Sequence, residues 1–183
     1  LGVDVAREGN DRIVYTFIRE DYLYNQVSRA HQDLMVTANE TAQFMESLGI
    51  GAQHVGVDVI GMGGGVVDPL YARGLKVYAF NSSASAPLHG THFQLKNLRA
   101  AAYFAFKDDL TKGLLRVANL PELFKELTSV RYFVKDKVLT IEPKADMKKR
   151  LGRSPDLSDS AVIANWMRHN KSQPLALSKQ IAA

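Results

Sequence analysis

Val-Gly-Val-Asp-Val-Ile-Gly-Met-Gly-Gly-Gly-Val-Val-Asp, residues 55–68, is an apolar run broken by one carboxylate and followed by a glycine-rich loop. Leu-Gly-Val-Asp-Val-Ala, residues 1–6, repeats its first part. Both runs read as strands, Leu1–Ala6 and His54–Ile60. A carboxylate inside a buried strand is costly unless it is paired, hydrogen-bonded or bound to a cation. Asp4 and Asp58 therefore either cap turns at strand ends or face a common polar site. Ser154-Pro155-Asp156-Leu157-Ser158-Asp159 supplies a third acidic element. With Ser154 as N-cap and Pro155 as first helical residue, Asp156 and Asp159 stand at i and i+3 on one helix face. Asp156 also suits a first-turn position favoured by the helix dipole. Asp159 lies deeper, beside Ala161-Val162-Ile163, where that explanation fits less well.

Outward from these runs, Ile13–Ile18 is a strand joined to the first by the turn residues Arg7-Glu8-Gly9-Asn10-Asp11, and Tyr22–Val27 is a third. Thr37 and Glu40 match a capping box, opening a helix to about Leu48 with Gly49 as its C′ residue. Gly61–Gly65 lets the backbone pass close to a site and leads to a short helix ending near Gly74. There Asp68 reads as N-cap before Pro69. Leu75–Phe80 is a strand, Asn81–Gly90 a loop, and Thr91–Lys107 a long amphipathic helix. Pro121–Leu127 is a short helix, Val130–Val134 and Val138–Ile141 form a hairpin, and the Ser154 helix runs to about Arg168. Trp166 belongs to the core, and His54, His89 and His92 stand alone. This order indicates an α/β protein: a mixed β-sheet flanked by helices, with an additional β-hairpin. Its 183 residues fit one domain, 1–170, and a frayed tail, 171–183.

Hydrophobic residues are 46% and charged residues 23%, which suits a packed core and excludes a disordered chain. No apolar run approaches the ~18 residues of a membrane span. Zero cysteines remove disulfides and thiolate metal sites from consideration. The net charge is +4. From Arg131 to Arg153, eight basic residues face three acidic ones, a local +5, so the other 160 residues sum to −1. A neutral body with one basic segment is suited to a polyanion, or is simply a solvated face. Within it Lys144, Lys148, Lys149, Arg150 and Arg153 are the candidate phosphate contacts.

Carboxylates from two strands and a helix, with no cysteine and no paired histidine, suit a hard cation such as Mg²⁺ or Mn²⁺. Such sites commonly hold two ions about 3.5–4 Å apart, which activate water and stabilise the leaving oxygen in phosphodiester hydrolysis. The runs at 2–9, 55–68 and Asp-Met-Lys-Lys-Arg-Leu-Gly-Arg-Ser-Pro-Asp-Leu-Ser-Asp (146–159), in that order, resemble the C-terminal nuclease domain of the large terminase subunit of tailed bacteriophages. Asn97-Leu98-Arg99-Ala100 is similar to that family's central helix.

The resemblance implies an RNase H-like (RuvC-like) fold. It also implies a divalent-metal-dependent endonuclease that cuts concatemeric viral double-stranded DNA during genome packaging. The family's catalytic, metal-binding cluster falls on Asp4, Asp58 and Asp159, and Asp156 matches a further acidic position of RuvC-like resolvases. Implied partners are DNA, an ATPase domain upstream in the same polypeptide, the small terminase subunit and the portal. The implied location is the cytoplasm of an infected bacterial host, with no membrane partner. The sequence contains no GxxxxGK[ST] loop, and Leu1 is not a Met, so the chain is expected to be one domain of a longer protein. Ser160-Ala161 stands where that family leads one to expect Ala-Leu. Two other readings are a RuvC-like resolvase or transposase core, which would cut junctions far better than linear duplex, and a DNA-binding or motor-docking module with a degenerate site, which would not bind Mn²⁺.

The basic segment carries a salt-dependence. Each phosphate contact contributes roughly −0.9 to the slope of log K against log[salt] on B-form DNA. Neutralising Lys148, Lys149 and Arg150 together is expected to flatten that slope by about 2.7 on any duplex, measured by anisotropy in Ca²⁺ across a salt series. A solvated face predicts an unaltered slope.

Overall fold

Gly-Val-Asp forms a strand twice, as β1 (Gly2–Asp4) and, later in the chain, as β4 (Gly56–Asp58). In the computed structural model, which describes residues 1–5, 12–30, 32–86 and 94–170, these two strands lie side by side and parallel. Gly2 stands opposite Gly56 and Val3 opposite Val57. β2 (Ile13–Arg19) pairs antiparallel with β1, and β3 (Tyr22–Arg29) antiparallel with β2. β5 (Tyr78–Phe80) extends the sheet parallel to β4, and β7 (Arg116–Val117) extends it beyond β3. The resulting order is β5-β4-β1-β2-β3-β7. A second, three-stranded sheet contains β6 (Gln94–Leu95), β9 (Val138–Ile141) and β8 (Tyr132–Lys135), in that order.

Side chains alternate across a strand, and the main sheet uses both faces. Val3, Ile13, Tyr15, Phe17 and Val57 enter one core with α1 (Leu34–Leu48) and α2 (Gly64–Ala72). On the opposite face lie α3 (Leu98–Thr111), α4 (Pro121–Ser129) and α6 (Asp156–His169), packed around Val14, Leu23, Phe80 and Trp166. α5 (Lys144–Leu151) bridges the hairpin and α6, with Met147 as its buried residue.

α6 crosses the sheet where it has no side chains. A Cβ on Gly2 would fall 2.3 Å from the Ser160 carbonyl oxygen and 2.5 Å from the Ala164 nitrogen. A Cβ on Gly56 would fall 2.8 Å from Ile163 Cγ2. The buried Ser160 hydroxyl sits 3.0 Å from both the Gly2 and the Val14 carbonyl oxygens and 2.8 Å from Thr16 Oγ1. Serine at this position thus fastens the helix to β1 and β2. At the far end of the α3/α6 pair, the buried Asp109 carboxylate accepts from Asn165 Nδ2 at 2.7 Å and lies 2.6 Å from His169 Nε2.

Several expectations need correction. α1 begins at Leu34 because the Asp33 carboxylate accepts from the Met35 and Val36 amides; Thr37 lies inside the helix and donates its hydroxyl to the Asp33 carbonyl. Its end is as expected, with Gly49 left-handed at φ 63°. α2 begins at Gly64, so Asp68 and Pro69 are interior and Asp68 caps nothing. The early start follows from the tight loop: a Cβ on Gly63 would lie 1.7 Å from the Asp58 carbonyl oxygen. Gln94 and Leu95 are strand rather than helix, paired with Val138 and Leu139, and α3 starts after Asn97, whose side chain accepts from the Ala100 amide.

Pro155, not Ser154, occupies the cap position of α6. The buried Ser154 hydroxyl has no hydrogen-bond partner among the described residues, and the Glu126 carboxylate takes the Ser158 amide instead. β4 and β5 are shorter than expected, a 3₁₀ turn (Ala52–His54) preceding β4, and α5 and β7 were unforeseen. The β8–β9 hairpin and the burial of Trp166 are as expected, and the hairpin turns through Asp136 and Lys137, both at positive φ. The Arg7–Asp11 turn, His89, His92 and the 171–183 tail lie outside the described residues.

Gly2→Ala is expected to destabilise the protein by about 3 kcal/mol in urea denaturation, because backbone atoms of α6 must give way. Gly51→Ala, whose new methyl meets first the flexible Gln53 side chain, is expected to cost under about 1 kcal/mol.

Candidate active site

The two Gly-Val-Asp strands fix two carboxylates. In each, the aspartate follows the glycine by two residues and so points to the same face, towards the N-terminal end of α6. α6 brings Asp156 and Asp159 to meet them. All four line one cleft of about 410 Å³ with Lys144 and Lys148 of α5, Arg99 of α3 and Thr140 of β9. The sequence reading placed these acidic residues together, and the structure brings them together.

Lys144 lies at the common vertex of the cluster. Its ammonium is 2.9 Å from Asp4 Oδ2, 3.3 Å from Asp156 Oδ1 and 3.3 Å from Asp159 Oδ2. Asp159 Oδ1 accepts from Arg99 Nε at 3.1 Å and from the Tyr103 hydroxyl at 2.7 Å. Arg99 also donates to the Glu142 carbonyl, tying α3 to the start of α5. Asp58 Oδ1 accepts the Ile60 amide at 3.0 Å, so the turn-capping role is present at this residue. Asp156 Oδ2 accepts the Arg12 amide at 3.0 Å, whereas its buried Oδ1 has no hydrogen-bond partner among the described residues.

Lys144 and Arg99 make the ion pairs with these carboxylates, and Lys96 and Lys148 line the same cleft. Burial pushes the Asp4 carboxyl well above its usual range; Lys144 opposes this, and Asp156, Asp159 and Asp58 add to it. Burial likewise raises Asp58 to about 6, against the pull of the Ile60 amide. Burial acts on Asp159 in the same sense, but Arg99, Lys144 and the Tyr103 hydroxyl outweigh it and hold Asp159 below its usual value. The three acids also lift Lys144 well above its usual value, overcoming burial. Among the described residues, no three His, Asp or Glu side chains converge closely enough to ligate an ion as they stand. The carboxylates are instead gathered around the ammonium. Hard oxygen donors from two strands and one helix, gathered around a single ammonium that a cation could displace, nevertheless fit a divalent cation.

The basic residues divide. Lys144 is inside the acidic cluster rather than beside it, and Lys148 follows on the same face of α5. Lys149 is 82% exposed and 3.9 Å from Asp146. Arg150 is held by the Glu142 carboxylate and the Ser129 carbonyl. Arg153 lies 3.5 Å from Glu126 and 3.7 Å from Glu122. Sequence reasoning missed Tyr103 and Glu126. Tyr103 stands one helical turn after Arg99, a spacing that could have revealed it. Glu126, 4% exposed and raised to about 7 mainly by burial, carries no such signal.

No family model and no curated protein matches the chain. Solved structures do. The nuclease domain of the large terminase subunit gp2 of bacterial virus Sf6 superposes with a TM-score of 0.76 at 22% identity, covering 89% of this chain and 85% of that one. The fold is that of large-terminase nuclease domains. A gp2 nuclease-domain mutant with manganese gives 0.73 at 20% identity, covering 89% and 85%. The large terminase nuclease from thermophilic phage G20c with bound magnesium gives 0.61 at 16%, covering 90% and 78%. The mixed sheet flanked by helices expected from the sequence is therefore present, and the expected hairpin lies in the separate three-stranded sheet.

The raised Asp58 value has a stability consequence. A carboxyl whose folded value lies above its unfolded value of about 3.8 destabilises the ionised protein; the loss accumulates as pH rises from 3.8 towards 6 and is complete above it. Asp58→Asn keeps the acceptor for Ile60 and removes the charge. It is expected to stabilise the metal-free protein at pH 7.5 by on the order of 2 kcal/mol and to change little at pH 3.5, checked by denaturation at both.

Proposed function

We propose that this chain is the nuclease domain of a viral DNA-packaging terminase large subunit. It would be a divalent-metal-dependent endonuclease that hydrolyses phosphodiester bonds of concatemeric double-stranded DNA with low sequence specificity. The observation that carries this reading is the convergence of Asp4 and Asp58, on adjacent parallel strands, with Asp156 and Asp159 of α6 in one cleft. The named neighbours, one with manganese and one with bound magnesium, support it.

Asp4, Asp58 and Asp159 are the residues that would hold Mg²⁺ or Mn²⁺, two ions in all, with Asp156 as a fourth ligand. The bound cations supply activation of water and screening of charge on the reacting phosphate. This chain's residues do the rest. Arg99 and Tyr103 fix one oxygen of Asp159 and leave the other to the cleft. Lys144 neutralises the carboxylates before substrate arrives, and its ammonium is placed to meet a phosphate oxygen. Lys148 and Lys149 are assigned to the DNA backbone; such contacts position DNA without reading bases. Arg150 and Arg153, assigned with them from sequence, are engaged by Glu142, Glu122 and Glu126, so the triple neutralisation described above is expected to lose about 1.8 of slope rather than 2.7. The upstream ATPase, the small subunit, the portal and the cytoplasm of the infected bacterial host complete the proposed context.

The test is incubation with supercoiled plasmid in EDTA, Mg²⁺ and Mn²⁺. Nicking and linearisation are expected with either metal and not in EDTA. Asp4→Asn, Asp58→Asn and Asp159→Asn are each expected to abolish cleavage while keeping the wild-type circular dichroism spectrum. Full activity in one variant removes that residue from the site.

A further inference from the structure

The small sheet has an outer face that the core does not use. In β9, Leu139 and Ile141 turn inward to the α3 core; Tyr132 and Val134 of β8 share that side, Tyr132 meeting Phe104 edge-on at 5.6 Å, but both stay exposed because β8 projects beyond the core. The alternate positions face outward. Phe133 stands opposite Thr140, Lys135 opposite Val138, and Gln94 of β6 next to Val138 on the other side. Lys96 continues that register, its amide donating to the Leu139 carbonyl at 2.9 Å. Phe133 is 53% exposed, although phenylalanine is among the residues most often fully buried.

This face is continuous with the acidic cleft, because Lys96 and Thr140 belong to both. Among the described residues, neither Lys96 nor Lys135 forms an ion pair. β8 is an edge strand of the small sheet. An exposed aromatic ring on the same sheet face as two unpaired lysines, on a surface that runs into the proposed phosphodiester-cleaving site, matches the chemistry of single-stranded nucleic acid recognition. There, basic groups follow the backbone while a ring stacks on a base. An acidic protein partner would find the lysines but would leave the continuity with the cleft unused.

We propose that this outer face is a DNA platform: Phe133 stacks on a base that has left the helical stack, and Lys96 and Lys135 contact the flanking phosphates. The inference rests on the nuclease reading and deepens it by naming the preferred substrate, DNA with an opened or distorted step next to the scissile bond.

The 183-residue protein is titrated by anisotropy, in Ca²⁺, with a labelled duplex and with the same duplex carrying a central run of unpaired thymines. Wild type is expected to bind the second more tightly. Phe133→Ala is expected to weaken binding to the unpaired probe about tenfold, ~1.4 kcal/mol, and to the intact duplex less than twofold, with Phe133→Trp restoring the preference. Lys96→Ala and Lys135→Ala are each expected to flatten the salt slope on the unpaired probe by about 0.7. Phe133 is more than half exposed, so its replacement leaves folding intact. Equal binding of both probes by Phe133→Ala and wild type overturns the platform and leaves the ring to a protein partner. Plasmid cleavage in Mn²⁺ is read separately. A wild type that never cleaves counts against the nuclease reading, whereas cleavage with unchanged probe preference in Phe133→Ala overturns the platform alone.

Discussion

The close contact between α6 and two glycines governs the molecule. Gly2 and Gly56 are register partners on parallel strands, and together they leave a shallow trough in which the helix backbone lies against the sheet. Ser160 fixes the helix in that trough through the backbone of both β1 and β2. Two residues along each strand, on the same face, come Asp4 and Asp58. One turn back along the helix come Asp156 and Asp159. The acidic cleft is thus a geometric corollary of the helix–sheet contact, and the same packing that builds the core sets the spacing of the carboxylates.

Such a cleft has an energetic cost. Gathering four carboxylates in a poorly solvated place is unfavourable, and the protein offsets part of that with Lys144 and Arg99. Their roles differ. Arg99 is anchored by Asp159 and the Glu142 carbonyl and stacks its guanidinium 5.0 Å from the Tyr103 ring centre, so it is a fixed part of the wall. Lys144 reaches the carboxylates from α5 with its side chain still 37% exposed. One cation is structural and the other is within reach of solvent.

Much of this was legible in the sequence, for identifiable reasons. The duplicated Gly-Val-Asp announced two carboxylates in apolar strands, and the i, i+3 spacing of Asp156 and Asp159 put both on one face. The parallel adjacency of the two strands was not legible, because their pairing is set by tertiary packing across more than fifty residues of chain. Local signals failed where two candidates competed: Asp33 outcompeted Thr37 as a cap because its carboxylate reaches two amides, and Leu95 satisfied a helical spacing while pairing as a strand. Asp68-Pro69 looked like a helix start, but the Gly63 turn had already begun α2. At Ser154 the cap came from Glu126 on another helix, which no local pattern reveals. The cationic run from 131 to 153 read as one patch, yet the structure divides it between the cleft, the hairpin and ion pairs that hold α4 and α5.

The Asp109 cluster gives the α3/α6 pair a mechanical character. These two helices are pinned near one end by Arg99 and Tyr103 on Asp159, and near the other by Asn165 and His169 on Asp109. A beam fixed at both ends resists shear, so the wall bearing Asp156 and Asp159 is stiff. α5, eight residues long, is held on the other side of the cleft through Met147, Arg99 and Arg150. Lys144 thus meets carboxylates whose spacing is set by the sheet and by two helices braced against each other.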